Sequence, residues 1–149
     1  MTKQNSEIRF LKYARSIGWL LSKNYRMNIL LFDDDPFIIN LLKTNLIKSV
    51  GDVTIFTSLN YEDSVKIVKE NKIDIALIDL NMPEKNGADF IDYLNSQARY
   101  KDIRKVVLTS TGKKSILKTS FEQAVDAYLF KNEVFENFDL VLDQLKFVN

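Results

Sequence analysis

Short apolar runs alternate with longer amphipathic stretches along the chain from Met27 onward. A short continuous apolar run is typical of a strand buried on both faces, and a longer stretch with one apolar stripe is typical of a helix. The pattern predicts five strands, at 28–32, 53–58, 74–79, 104–111 and 127–131. It also predicts five helices, at 36–50, 60–72, 90–100, 113–124 and 135–148.

This alternation of strands and helices predicts an α/β fold class. Buried parallel strands joined by right-handed helical crossovers form a doubly wound five-stranded parallel sheet, with helices on both faces. In such sheets the functional cleft lies outside the carboxyl ends of the strands. The side chains that end each predicted strand are therefore the candidates for chemistry.

The boundary between the first strand and the first helix contains three consecutive aspartates. Pro36 suits the first position of a helix, and Asp35 suits the capping position before it. Gly51 is placed to end that helix. We therefore interpret Asp35 as a helix cap, which leaves Asp33 and Asp34 for another role.

Four of the five predicted strands end in reactive or charged side chains, namely Asp33 and Asp34, Asp79, Thr109 and Lys131. Grouped carboxylates repel one another unless a cation lies among them, and a hard cation such as Mg²⁺ prefers oxygen ligands. A metal, a lysine and a hydroxyl together suit a phosphoryl group. Asp79 follows the central strand and is the candidate nucleophile, because a carboxylate can form an aspartyl-phosphate.

Composition narrows the possible chemistry. The 149 residues include no cysteine and no histidine, which excludes disulfides, thiolate nucleophiles, ordinary zinc sites and histidine-dependent triads. The net charge of +1 gives no general bias toward nucleic acids or membranes. Since no apolar run reaches the length of a membrane span, we expect a soluble, cytoplasmic protein without a transmembrane segment.

The first 26 residues differ in charge from the rest of the chain. They contain six basic residues and one acidic residue, whereas 27–149 contain 15 basic and 19 acidic residues. Phe10, Ala14, Ile17 and Leu21 fall on one stripe of a helix. We interpret 1–26 as a basic amphipathic N-terminal extension upstream of a domain at 27–149. Binding to an anionic surface or an acidic partner is the alternative.

The strand ends resemble those of the response-regulator receiver domain of two-component signalling, over residues 27–149. The resemblance rests on "LLFDDDP", "IDIALIDLNMPEKNG", "VVLTST" and "DAYLFK", which occur in the family's order. It implies a flavodoxin-like sheet with strand order 2-1-3-4-5.

The resemblance also implies roles for the acidic residues. Asp79 would accept the phosphoryl group and bind Mg²⁺. Asp34 would bind Mg²⁺ directly, with help from Asp33 directly or through water. Asn81 would contribute its backbone carbonyl to the metal.

Three further positions take roles by the same resemblance. Thr109 and Lys131 would bind phosphate oxygens, and Tyr128 would be the aromatic switch that turns inward as Thr109 moves toward the phosphate. One position departs from the family, because Asn132 stands where a proline usually follows the lysine. We therefore expect the connection into the last helix to differ.

A receiver of this kind is a signalling phosphoprotein, not a turnover enzyme, and it catalyses its own phosphorylation and dephosphorylation. Because the chain has no histidine, the donor must be another protein, a sensor histidine kinase or a phosphotransfer protein in a phosphorelay. We expect a stand-alone receiver without direct nucleic-acid binding. An unknown output protein, or a second copy in a homodimer, is expected at the face formed by the predicted helix at 113–124, the fifth strand and the last helix.

Two other functions compete with this interpretation. A degenerate receiver would act only as a protein-binding module. A haloacid-dehalogenase-like phosphatase would use Asp33 and Asp35, but it expects threonine or valine at Phe37 and an acidic pair at Thr109 and Ser110.

Overall fold

The computed structural model of the protein describes residues 26–50, 52–80, 82, 86–110 and 124–148. Its five strands are β1 (Met27–Phe32), β2 (Val53–Ser58), β3 (Ile75–Ile78), β4 (Arg104–Thr109) and β5 (Ala127–Phe130). They form one sheet in the order β2-β1-β3-β4-β5, and every neighbouring pair is parallel. The predicted fold class and strand order are confirmed.

Within the described residues the helices are α1 (Pro36–Val50), α2 (Tyr61–Glu70), α3 (Gly87–Asn95), α4 (Lys131–Glu136) and α5 (Asp139–Leu145). A short 3-10 helix, Ala98–Tyr100, follows α3. One buried cluster unites the apolar sides of α1, α4 and α5 with one face of the sheet. A second cluster unites α2, α3 and the 3-10 helix with the other face. Helices thus cover the sheet on both faces, and its strand ends lie at the edges of the two layers.

The predicted start of α1 is confirmed, including its cap. The Asp35 carboxylate accepts a hydrogen bond from the backbone N–H of Phe37 at 2.9 Å. The Asp35 carbonyl accepts the first helical bond from Ile39, at 3.1 Å. Pro36 occupies the first helical position, where its missing N–H leaves no internal bond unmade.

The prediction of one last helix at 135–148 is wrong. Two helices occupy this region, and the first of them already begins at Lys131. Asn137 separates them, since its backbone leaves the helical region at φ −143° and ψ 90°. Its side-chain oxygen accepts a bond from the N–H of Asp139 at 3.2 Å. A short amide side chain of this kind competes with helical bonding and favours a break.

Several other predicted boundaries are also corrected. The third helix begins at Gly87 and not at 90, because a capping box at Asn86 starts it earlier. It ends at Asn95, where the Ser96 hydroxyl donates to the carbonyl of Tyr93 at 2.7 Å. Strands β3, β4 and β5 end one or two residues earlier than predicted, so that Asp79 and Lys131 follow their strands directly.

Some sequence predictions fall on residues that the structure does not describe. They concern residues 1–25 of the N-terminal extension, Gly51, Asn81 and the predicted helix at 113–124 apart from its last residue. In the described part of the chain, the helices are all too short or too polar to cross a membrane.

Candidate functional site

The carboxyl edge of the sheet places the ends of β1 and β3 side by side. Phe32 and Ile78 are register partners in the parallel ladder. The ladder continues one bond further, because the N–H of Asp79 donates to the Phe32 carbonyl at 2.9 Å. On the other side of β1, the N–H of Asp33 donates to the Ser58 carbonyl of β2 at 3.2 Å. The backbone hydrogen bonds of the sheet thus hold Asp33 and Asp79 as neighbours.

Three carboxylates meet at this edge. Asp33, Asp34 and Asp79 each offer an oxygen, and these oxygens all lie within 4.8 Å of one another. Asp33 and Asp79 are buried, at 3% and 2% exposure, while Asp34 is exposed to solvent. The cluster therefore has two oxygens facing inward and one at the opening.

Lys131 supplies the positive charge of the cluster. Its Nζ lies 2.7 Å from Oδ2 of Asp33 and 3.3 Å from Oδ2 of Asp79, and its side chain is 15% exposed. It reaches them from the start of α4, one residue beyond the end of β5. The structure therefore brings together four of the predicted residues.

Burial and charge shift the ionisation of two of these groups. Burial raises the pKa of Asp33, and the nearby Asp79 charge also raises it. The hydrogen bonds from Lys131 and from the N–H of Asp35 lower it, but the net pKa lies above the ordinary value. For Lys131, burial alone would lower the pKa. The hydrogen bonds and charges of Asp33 and Asp79 outweigh burial, so that the pKa of Lys131 is raised.

The donor set fits a hard divalent cation. Three carboxylate oxygens within 4.8 Å of one another match the all-oxygen ligands of Mg²⁺, which also retains several waters. The exposed carboxylate of Asp34 leaves one side of the cluster open to solvent. The arrangement can hold a cation and still admit a negatively charged group.

The remaining predicted site residues lie near this edge or outside the described residues. Thr109 is fully buried at the end of β4 and is the register partner of Phe130, the residue before Lys131. Tyr128 is half-buried on β5, and its ring packs against the core cluster that contains α2 and α3. Its hydroxyl oxygen is buried. Asn81 is not among the described residues.

The structure adds two contacts that the sequence reasoning did not single out. The N–H of Asp35 donates to Oδ1 of Asp33 at 2.9 Å and orients that carboxylate. Gly87, at the start of α3, lies directly against the backbone of Asp79. The Asn-x-x-Asp spacing at 86–89 is typical of a capped helix start and could have predicted where α3 begins, but not its contact with Asp79.

Known proteins have sequences similar to that of this chain. The family model described as "Response regulator receiver domain" matches residues 29–142. The transcriptional regulatory protein MalR of Bacillus subtilis is 27% identical over 120 residues, which are 80% of this chain and 50% of MalR. A chemotaxis protein CheY homologue of Campylobacter jejuni is 24% identical over 105 residues, 70% of this chain and 81% of the homologue.

The fold of this chain is also similar to that of a solved response-regulator structure. The response regulator TrrA of Thermotoga maritima, in complex with Mg²⁺ and BeF, is 28% identical with a TM-score of 0.69, covering 80% of this chain and 96% of TrrA. The chain spans about half the length of the first curated relatives, 50% and 53%. Because the family model matches more than half of the chain, the chain belongs to the response regulator receiver domain family.

Proposed function

We propose that this receiver domain accepts a phosphoryl group on Asp79 in a Mg²⁺-dependent reaction. The observation that supports this most is the meeting of Asp33, Asp34 and Asp79 within 4.8 Å, with Lys131 paired to two of them. Two buried like charges are costly without a counter-charge, and here Lys131 supplies the counter-charge. Asp79, a buried carboxylate within this cluster, would act as the nucleophile in phosphoryl transfer.

We assign the metal to the acidic cluster. Asp33, Asp34 and Asp79 would hold Mg²⁺, and the backbone carbonyl of Asn81 would complete the protein ligands. When bound, the ion shares the negative charge of the incoming phosphoryl group. The complex of TrrA with Mg²⁺ and BeF supports the assignment by similarity.

The reaction at Asp79 is a transfer from a phosphorylated histidine of a partner protein. A carboxylate oxygen of Asp79 attacks phosphorus as the bond from phosphorus to the imidazole nitrogen breaks. The phosphoryl group then forms an acyl phosphate on Asp79, and the imidazole nitrogen keeps the electron pair of the broken bond and takes a proton from solvent. Attack by water on the same phosphorus returns Asp79 to the carboxylate and releases inorganic phosphate.

The ammonium group of Lys131 and the hydroxyl of Thr109 would bind the transferred phosphoryl group. Phosphorylation of Asp79 removes one carboxylate partner of Lys131, whose Nζ lies 3.3 Å from it. The ammonium would then bind a phosphate oxygen, and the Thr109 hydroxyl would donate to another. Both groups act in holding charge and not in moving a proton.

The consequence of phosphorylation would be a changed protein contact. Tyr128 would turn further inward as Thr109 moves toward the phosphate, altering the surface around β5. The partners are a sensor histidine kinase or phosphotransfer protein as donor and an output protein, or a second copy, at that surface. We assign the receiver domain to 27–149 and treat 1–26 as an extension.

Beryllofluoride, which mimics an acyl phosphate, tests the phosphoacceptor function. With Mg²⁺ it should raise the melting temperature of the wild type, and Asp79→Asn should abolish the rise while leaving the fold intact. Asp92→Asn, on an exposed position of α3, is the matched control and should respond like the wild type. A wild type that does not respond would instead support the protein-binding module.

A further inference from the structure

The start of α3 passes directly against the backbone of Asp79. A Cβ atom on Gly87 would lie 1.9 Å from the carbonyl oxygen of Asp79 and 2.7 Å from Cγ2 of Ile78. Non-bonded heavy atoms normally stay about 3.5 Å apart. The closest obstacle is a main-chain atom, which no side-chain rotation can move away. Any residue with a side chain at 87 must displace either the helix or Asp79.

A capping box fixes Gly87 in this position. The Asn86 side-chain oxygen accepts bonds from the N–H of Ala88 at 2.9 Å and of Asp89 at 3.4 Å. In return, the Asp89 carboxylate accepts from the N–H of Asn86 at 2.9 Å. This reciprocal pair satisfies N–H groups that a helix start leaves unbonded. It also holds the backbone on both sides of Gly87.

An aromatic contact ties the same helix turn to the sheet. Phe90 is fully buried, and its ring meets the Phe32 ring edge-on at a centroid distance of 5.5 Å. The carbonyl of Phe32 in turn accepts the N–H of Asp79 at 2.9 Å. Asp79 is thus fixed at its N–H by β1 and restricted at its carbonyl by Gly87. The first turn of α3 takes part in both restraints, because Gly87 lies against the Asp79 carbonyl and Phe90 packs on Phe32 of β1.

We propose that the first turn of α3 is a positioning device for the Asp79 carboxylate. Asn86, Gly87 and Asp89 are positioning residues, because they restrain the Asp79 main chain and do not touch the phosphoryl group. The inference deepens the proposed function and rests on it. It predicts that loosening this turn slows phosphoryl transfer out of proportion to the stability lost.

A matched pair of cap variants tests this proposal. Asn60 caps α2 in the same way, accepting from the N–H of Asp63 at 2.8 Å. Asn86→Ala and Asn60→Ala each remove one asparagine cap, so we expect similar losses of melting temperature. Both are compared with wild type in Mg²⁺ and acetyl phosphate, a small acyl phosphate donor. In Asn86→Ala, the maximal rate of Asp79 phosphorylation should fall about tenfold, and the half-saturating concentration of acetyl phosphate should not change. Asn60→Ala should be phosphorylated at the wild-type rate.

A second substitution gives a larger effect at the same contact. Gly87→Ala should lower the maximal rate about 100-fold, because displacements near 1 Å at a reacting group have effects of this size. Ala88→Gly loosens the same turn without adding an atom next to Asp79, so it should slow the transfer less than Gly87→Ala does. Should Gly87→Ala fail to fold, Asn86→Ala decides the question.

A spectroscopic measurement keeps the positioning role separate from the proposed function. The backbone amide signal of Asp79 should shift in Asn86→Ala and stay in place in Asn60→Ala, before any phosphoryl donor is added. If acetyl phosphate does not phosphorylate the wild type, the proposed function is refuted. The comparison of the Asp79 amide signals would still test whether the first turn of α3 positions Asp79. An unmoved Asp79 signal in Asn86→Ala, or equal rates for the two cap variants, would overturn the inference.

Discussion

Asp33 is buried beside a second carboxylate, and its ionised form is therefore disfavoured in the folded protein. Burial is the main cause of its raised pKa, and the hydrogen bond from Lys131 only partly compensates. The folded chain thus holds the Asp33 proton more tightly than the unfolded chain does. The stability that the Asp33 proton contributes is therefore fully present below pH 3.8, the ordinary pKa of an aspartate. This contribution is lost as the pH rises through the higher pKa of Asp33 in the folded protein.

Replacing this charge should stabilise the metal-free protein. At pH 7 without Mg²⁺, Asp33→Asn should have a larger free energy of unfolding than the wild type, because the amide has no charge to desolvate. The difference should shrink as pH falls toward 3.8. Denaturant unfolding at several pH values measures it, with the exposed Asp92→Asn as control. Saturating Mg²⁺ should reverse the order, and a less stable Asp33→Asn at pH 7 without Mg²⁺ would contradict the prediction.

Among the structural elements, the three consecutive aspartates serve two of them: Asp35 belongs to the start of α1, and Asp33 and Asp34 belong to the acidic cluster. Asp35 caps α1 through its bond to the N–H of Phe37, whereas Asp34 points an oxygen into the acidic cluster. Asp35→Ala should therefore lower the free energy of unfolding by about 1 kcal/mol through the lost cap. It should keep its Mg²⁺ affinity, since the N–H of Asp35 still bonds Asp33.

Asp34→Asn should have the opposite effects from Asp35→Ala on stability and on Mg²⁺ affinity. Asp34→Asn removes an exposed carboxylate, so stability without metal should stay close to that of the wild type. Mg²⁺ binding should weaken about tenfold or more, because a proposed ligand is lost. Calorimetric titration with Mg²⁺ and denaturant unfolding separate the two variants. Equal Mg²⁺ affinities for Asp34→Asn and Asp35→Ala would refute this division of the aspartates.

The strands, and the side chains near their carboxyl ends, were predictable from the sequence to within one or two residues, because they depend on local patterns. Apolar runs located β1 and β3, and the geometry of a parallel sheet then placed Asp33 and Asp79 at one edge. The break at Asn137 and the early start of α4 were not predictable. The apolar pattern of this region continues across the break, and a single amide side chain decides the outcome.

Some features of the site depend on tertiary contacts that no sequence pattern encodes. The need for glycine at 87 comes from the carbonyl of Asp79, which lies eight residues earlier and touches it only after folding. The raised pKa of Asp33 likewise follows from its burial and from the charge of Asp79. The sequence therefore indicated which side chains lie close together, but not the main-chain contact of Asp79 or the pKa shift of Asp33.

In the molecule as a whole, one edge of the sheet contains the candidate site, and the described core lies on the two faces of the sheet. The large buried side chains form two clusters, one on each face, from residues between Met27 and Val148. Arg26 adds an ion pair to Asp52 at 3.0 Å, but both side chains are more than half exposed. Such a surface pair contributes about 0–1 kcal/mol.

Deletion of residues 2–26 should therefore leave a folded receiver. Among the described contacts, the deletion removes the exposed Arg26 pair, which should cost about 0–1 kcal/mol of unfolding free energy. The response to Mg²⁺ and beryllofluoride should match that of the full chain. Denaturant unfolding and thermal shift measure both properties. A truncated protein that no longer unfolds cooperatively would place the extension within the core.

Mass spectrometry can detect the transfer of a phosphoryl group to Asp79. The full chain is incubated with acetyl phosphate and Mg²⁺, and the modified peptide is then mapped. We expect the added mass of one phosphoryl group on Asp79, absent without Mg²⁺ and absent in Asp79→Asn. A wild type that gains no phosphoryl group under these conditions, or an Asp79→Asn variant that gains it equally, would refute phosphorylation at Asp79.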